Sequence, residues 1–205
     1  MSSLLLRGFL LGFAVAASPG PIFFLCLRRT LVRGWLNGLI SGFGVATADG
    51  FYAAVAAFGV GAITTALTGE RRWLALAGGA LLVSLGTRIV LDRPTTAEAP
   101  PPTRSSLIGA YLSTLGLTIS NPATIISFAA LAATLGAGIS GGVLRPAALV
   151  IGVLLGSVTW WIVLAALATG LRARIAPRVV RIISTISGLA IIGLGVVALV
   201  SALGM

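Results

Sequence analysis

The 205-residue chain contains no histidine, no lysine, one cysteine and four acidic residues. Without histidine it lacks the commonest general base and metal ligand. The lone Cys26 excludes an internal disulfide and a CxxC redox pair. So few acids leave almost nothing from which to assemble a zinc site or a carboxylate dyad. A serine intramembrane protease needs a base beside its nucleophile, and the usual His and Lys are both missing. No GxxxxGK[ST] stretch is present, so direct ATP drive is not expected. Charge is scarce overall: 9% of residues are charged, 58% are hydrophobic, and the mean hydropathy is +1.11. A soluble domain carries about 25% charged residues. The chain therefore reads as an integral membrane protein, with no enzyme activity, metal or cofactor expected.

What charge there is comes mostly as arginine, and the net charge is +10. The arginines fall between apolar runs, where they mark cytoplasmic loops. No aromatic-rich basic stripe accompanies them, so a nucleic-acid partner is not expected. Arg7, the apolar run after it and Ala16-Ala17-Ser18 have the outline of a signal peptide. The run is long and the arginine lies within it, so a retained first span is the expectation.

About 20 apolar residues span a bilayer. Six stretches qualify: Ser3–Leu27, Trp35–Leu67, Trp73–Leu91, Ser106–Leu135, Pro146–Gly170 and Val179–Leu203. Short loops separate them, the first over Arg28–Gly34. The longest and most polar, 92–105, contains Ala99-Pro100-Pro101-Pro102 and is expected to be extended. It divides one membrane domain, 1–205, into a first half over 1–91 and a second over 106–205. The loop arginines weigh toward odd-numbered loops in the cytoplasm, which puts both termini outside.

Two spans are interrupted. Ser18-Pro19-Gly20-Pro21 breaks the first, and Ser120-Asn121-Pro122 breaks the fourth. Each proline lacks an N–H and crowds the carbonyl four residues back, at Val15, Ala17 and Thr118 respectively. In hydrocarbon those carbonyls need partners, so such breaks belong against other helices or a water-filled cavity. A helix with close glycines follows each break: Gly38, Gly42 and Gly44, then Gly152 and Gly156. The halves thus form a weak internal repeat. With three spans in each, they must lie inverted. The expected fold is all-α, with six transmembrane helices arranged as two inverted three-helix repeats with broken first helices, the layout secondary transporters use.

Asp49 is the deepest ionisable group, about 14 residues and therefore about 21 Å into the second span. An intramembrane carboxylate is costly and by default a functional-site hypothesis. It is a candidate for binding an ammonium group or carrying a proton. Tyr52, three residues on, can share its face. A half-helix starting at Pro21 or Pro122 offers unpaired N–H groups and a positive dipole end to a carboxylate. Ser18, Ser120 and Asn121 add polar groups, and Trp160, beside Trp161, is a candidate cavity wall. Each residue also has a bland reading: a packing kink, a protonated Asp bonded to its neighbour, or close helix packing at the glycine pairs.

Ser18-Pro19-Gly20-Pro21, the glycine-rich second span with Asp49, the polar third loop and Ser120-Asn121-Pro122 together resemble the LysE/RhtB amino-acid exporter family over nearly the whole chain. Many relatives carry an acidic residue directly after the Pro-Gly-Pro; here that place is Ile22, and Asp49 is the available acid. The resemblance implies ion-gradient-driven efflux of amino acids or close derivatives across the bacterial inner membrane, by a protein that often forms homo-oligomers. The substrates would be an amino acid and protons. A non-transporting subunit or scaffold, and an exporter of another small solute, remain open on the sequence.

Overall fold

The computed structural model describes residues 2–58, 71–91, 103–121, 124, 125, 127, 128, 143–172 and 177–203. Among these, every regular element is helical. Seven helices are α1 Ser2–Ala17, α2 Pro21–Arg33, α3 Trp35–Phe58, α4 Arg71–Leu91, α5 Arg104–Ile119, α6 Leu144–Arg172 and α7 Pro177–Leu203. Three of them are long and apolar enough to cross a bilayer, or four spans if α1 and α2 count as one broken span. This is a multi-pass membrane protein. Large apolar side chains that face outward, such as Leu10, Ile151, Leu155 and Val197, suit contact with lipid.

The first break is sharp: α1 and α2 meet at 76°. The backbone groups freed there find partners nearby. The Ser18 N–H donates to the Val15 carbonyl at 3.2 Å, and the Ser18 hydroxyl donates to that of Ala14 at 3.2 Å. Helix α2 restarts with Pro21 in its first turn, where a missing N–H costs nothing. Trp160 of α6 braces the bend, lying edge-on to Phe13 of α1 at 5.3 Å and stacked on Phe23 of α2 at 6.3 Å.

The loop expected over Arg28–Gly34 is not a loop. Helix α2 runs to Arg33, and Gly34 alone makes the turn into α3, at φ 87°, a left-handed value that favours glycine. Arg28 and Arg29 are buried inside that helix. Their guanidinium groups reach oxygens on neighbouring helices, so they never needed water.

The fourth stretch is also interrupted. Helix α5 ends at Ile119, and the Ser120 and Asn121 N–H groups close back on the carbonyls of Gly116 (3.0 Å) and Thr118 (3.1 Å). Pro122 lies outside the described residues, as do the 92–102 loop and most of 122–142.

Around the breaks the helices pack in pairs: α1 on α6, α3 on α5, α3 on α6, and α4 on α7. Helix α2 leans on α3 and α7. The α1–α6 contact is backbone on backbone. A methyl added at Gly8, Gly12, Gly152 or Gly156 would fall on a carbonyl of the facing helix.

Candidate functional site

A cavity of about 360 Å³ lies where the interrupted helices meet. Ser18, Pro19, Gly20 and Pro21 line it from the first break, Asn121 from the second, and Asp49 from α3. The remaining wall includes Thr118, Thr124 and Trp161. Ser120, Tyr52 and Trp160 are not among its lining residues.

Asp49 is almost fully buried, 1% exposed. Its Oδ2 accepts a hydrogen bond from the hydroxyl of Ser157 on α6 at 2.7 Å. Ser157 is itself fully buried. The neighbouring small residues explain how a carboxylate fits here. A side chain at Gly50 would run into Leu154 of α6 and one at Gly42 into Trp161, so α3 and α6 approach closely on either side of the Asp49–Ser157 bond.

The start of α2 faces the same cavity. Its N-cap, Gly20, is extended and no side chain caps the helix. Phe24 is the first residue whose N–H bonds back, to the Gly20 carbonyl at 3.1 Å. The N–H groups of Ile22 and Phe23 belong to the first turn, which has no partners within the helix, at the positive end of its dipole. Such an end accepts an anion. Asn121 is buried and its amide donates to the Thr124 hydroxyl at 3.1 Å. The cavity therefore has an acid on one side and an uncapped helix start on another, suited to a molecule that carries both charges.

Tyr52 serves a different purpose. Its hydroxyl donates to the Ile119 carbonyl, the last of α5, and its ring stacks on Phe128 at 5.9 Å. It closes the second break from behind. Trp160 braces the first, as described above. Trp161 takes the cavity position instead. Adjacent helical residues point about 100° apart, so only one of the two tryptophans can face inward. The signal was available: Trp161 lies four residues after Ser157, on the same helix face. Both indole N–H groups are buried, with no hydrogen-bond partner among the described residues.

Among the described residues no group of three or more His, Cys, Asp or Glu side chains could hold a metal ion. No curated protein and no solved structure matches the chain. Residues 13–202 match the family model for the LysE type translocator, which takes in both breaks, Asp49 and every helix from the end of α1 to α7. The chain belongs to the LysE type translocator family.

Proposed function

We propose that this protein is a secondary exporter of amino acids or close derivatives, driven by the proton gradient across the bacterial cytoplasmic membrane. Membership of a translocator family supports reading it as a transporter rather than an enzyme. One observation carries the finer reading: a single cavity is lined by both helix breaks and by the buried Asp49. At about 360 Å³ it sits at the small end of the range for ligand pockets, roughly 300–1,000 Å³. The carboxylate offers a partner to an ammonium, and the start of α2 offers one to a carboxylate. Asp49 is also the one candidate for carrying a proton among the described acids. In this reading it binds the substrate ammonium when ionised and releases it when protonated.

The pairing of helices supports two inverted halves. Exchanging the halves maps the α1–α6 pair onto α5–α3 and leaves α3–α6 and α4–α7 unchanged. Such symmetry suits alternating access around a fixed central site. Arginine placement supports termini on the outside even without Arg28 and Arg29. Arg33, Arg93, Arg104, Arg172, Arg174 and Arg178 remain in or beside the odd loops, against Arg7, Arg71, Arg72 and Arg145 on the other side. Assembly into homo-oligomers belongs to the same reading and rests on the family resemblance alone. A cavity holding a buried acid gives a scaffold role nothing to explain.

Counterflow is the direct test. Liposomes holding the purified protein and an unlabelled mixture of amino acids should take up labelled amino acids transiently above equilibrium. No counterflow with any amino acid would refute the substrate class.

A further inference from the structure

Beyond the cavity, one buried side chain of α2 ties that helix to both α3 and α5. Arg29 lies seven residues after Ile22, about 10 Å further along α2. From one nitrogen it donates to the Ser41 hydroxyl on α3 and the Ala110 carbonyl on α5, each at 2.9 Å. From another it donates to the Ser113 hydroxyl on α5 at 2.8 Å. Ser41 and Ala110 lie past the cavity residues Val45 and Thr118 in the same direction, so the guanidinium bridges all three walls. Any path leaving the cavity between these three helices would have to pass Arg29.

The chemistry of this plug is unusual. Arg29 is only 5% exposed, yet every group it bonds among the described residues is neutral. Both hydroxyls give their own protons to carbonyls within their helices, Ser41 to Asn37 at 2.7 Å and Ser113 to Gly109 at 2.6 Å. They can offer Arg29 only lone pairs. Among the described residues Asp49 is the sole carboxylate, and Ser157 holds it. A buried cation without an anion is expensive in a membrane. If hydrogen bonding were the only need, a neutral donor would serve at lower cost. A guanidinium is, however, well shaped to take a carboxylate through two parallel bonds.

We propose that Arg29 is a gate and carboxylate checkpoint: it closes the cavity at the α2–α3–α5 end, and opens when a substrate carboxylate replaces Ser41, Ala110 and Ser113 as its partner. This rests on the amino-acid reading of the cavity for its trigger, but not for the closure itself.

The chain's own cysteine reports on the gate. Cys26 is buried on α2, one turn before Arg29 on the cavity side. Its labelling by a membrane-impermeant methanethiosulfonate is measured on the full protein in liposomes, with Cys26→Ser as the blank. A mixture of thiol-free amino acids should speed labelling about tenfold, a modest shift between closed and open populations. The matching decarboxylated amines should leave the rate unchanged. Arg29→Gln should label fast with or without amino acids. Arg29→Lys keeps the charge but not the fork, and should stay closed while responding less to amino acids. Unchanged labelling in Arg29→Gln, or equal acceleration by amines, would overturn the proposal. Should Arg29→Gln fail to fold, the comparison of amino acids with amines on the native chain still decides. Counterflow without a carboxylate effect on Cys26 would sink the gate and spare the amino-acid reading. Fast labelling of Arg29→Gln without counterflow would do the reverse.

Discussion

Two helix pairs flank the cavity, α1 on α6 and α5 on α3, and they are held by different means. In the first, Gly8 meets Gly152, Gly12 meets the backbone of Val153 and Gly156 that of Phe9, so the backbones touch at these points. In the second, Gly44 also brings α3 close to the α5 backbone at Tyr111, but side-chain hydrogen bonds join the helices along the seam. The Thr114 hydroxyl donates to the Ser41 carbonyl at 2.7 Å, and the Tyr111 hydroxyl donates to the Thr47 hydroxyl at 3.0 Å. Arg29 and Tyr52 add bonds at either end. Close apolar packing cannot be rearranged by degrees, because any shift costs contacts all along the seam. Hydrogen bonds can be exchanged for others of similar worth. The glycine seam is thus fitted to be a fixed frame and the polar seam a moving part.

That contrast is easiest to break from the rigid side. Gly12→Leu would drive a side chain onto the Val153 backbone. It should cost about 3 kcal/mol or more and abolish monodisperse protein in detergent, as read by size-exclusion chromatography. A well-behaved Gly12→Leu protein would mean the seam is loose.

On the polar seam the same kind of insult should do less. Tyr52→Phe leaves the Ile119 carbonyl without its partner and should destabilise by about 1–2 kcal/mol, measured by thermal unfolding. Thr114→Val should cost about 1 kcal/mol. Both proteins should still fold. If either were as damaging as Gly12→Leu, the division into frame and moving part would be wrong.

The smallest expected change has the opposite sign. Gly109 lies on the face of α5 that points away from α3, and a methyl there meets nothing within 4 Å. Gly109→Ala should stabilise the helix, by up to about 1 kcal/mol. A loss of stability would indicate that something covers this face.

The difference between the seams also shows what the sequence could and could not display. Both breaks were legible because proline and glycine change the backbone directly. Some helix limits followed from apolar run length: α6 and α7 begin within two residues of where hydropathy put them, whereas α2 runs six residues past its apolar run to Arg33. Asp49 stood out as a charge in an apolar run. Arg29 did not, because a basic residue near a span end reads as a loop marker. Its burial depends on hydroxyls from two other helices, which no local pattern contains. Trp160 and Trp161 were both visible, but their assignment needed the helix phase, which Asp49 fixes through Ser157. The tightness of the α1–α6 seam was suggested by glycine spacing, while its partner required the fold.

In the proposed mechanism Asp49 couples substrate release to protonation inside the shared cavity. Asp49→Asn tests it most directly, since the amide keeps the shape and can still accept from Ser157 but cannot ionise. The measurement is amino-acid accumulation by proteoliposomes under an imposed pH gradient, set beside counterflow without one. The variant should insert normally and lose accumulation while retaining downhill exchange. Accumulation at the native rate from pH 6 to 8 would contradict the claim and leave Asp49 a structural partner of Ser157.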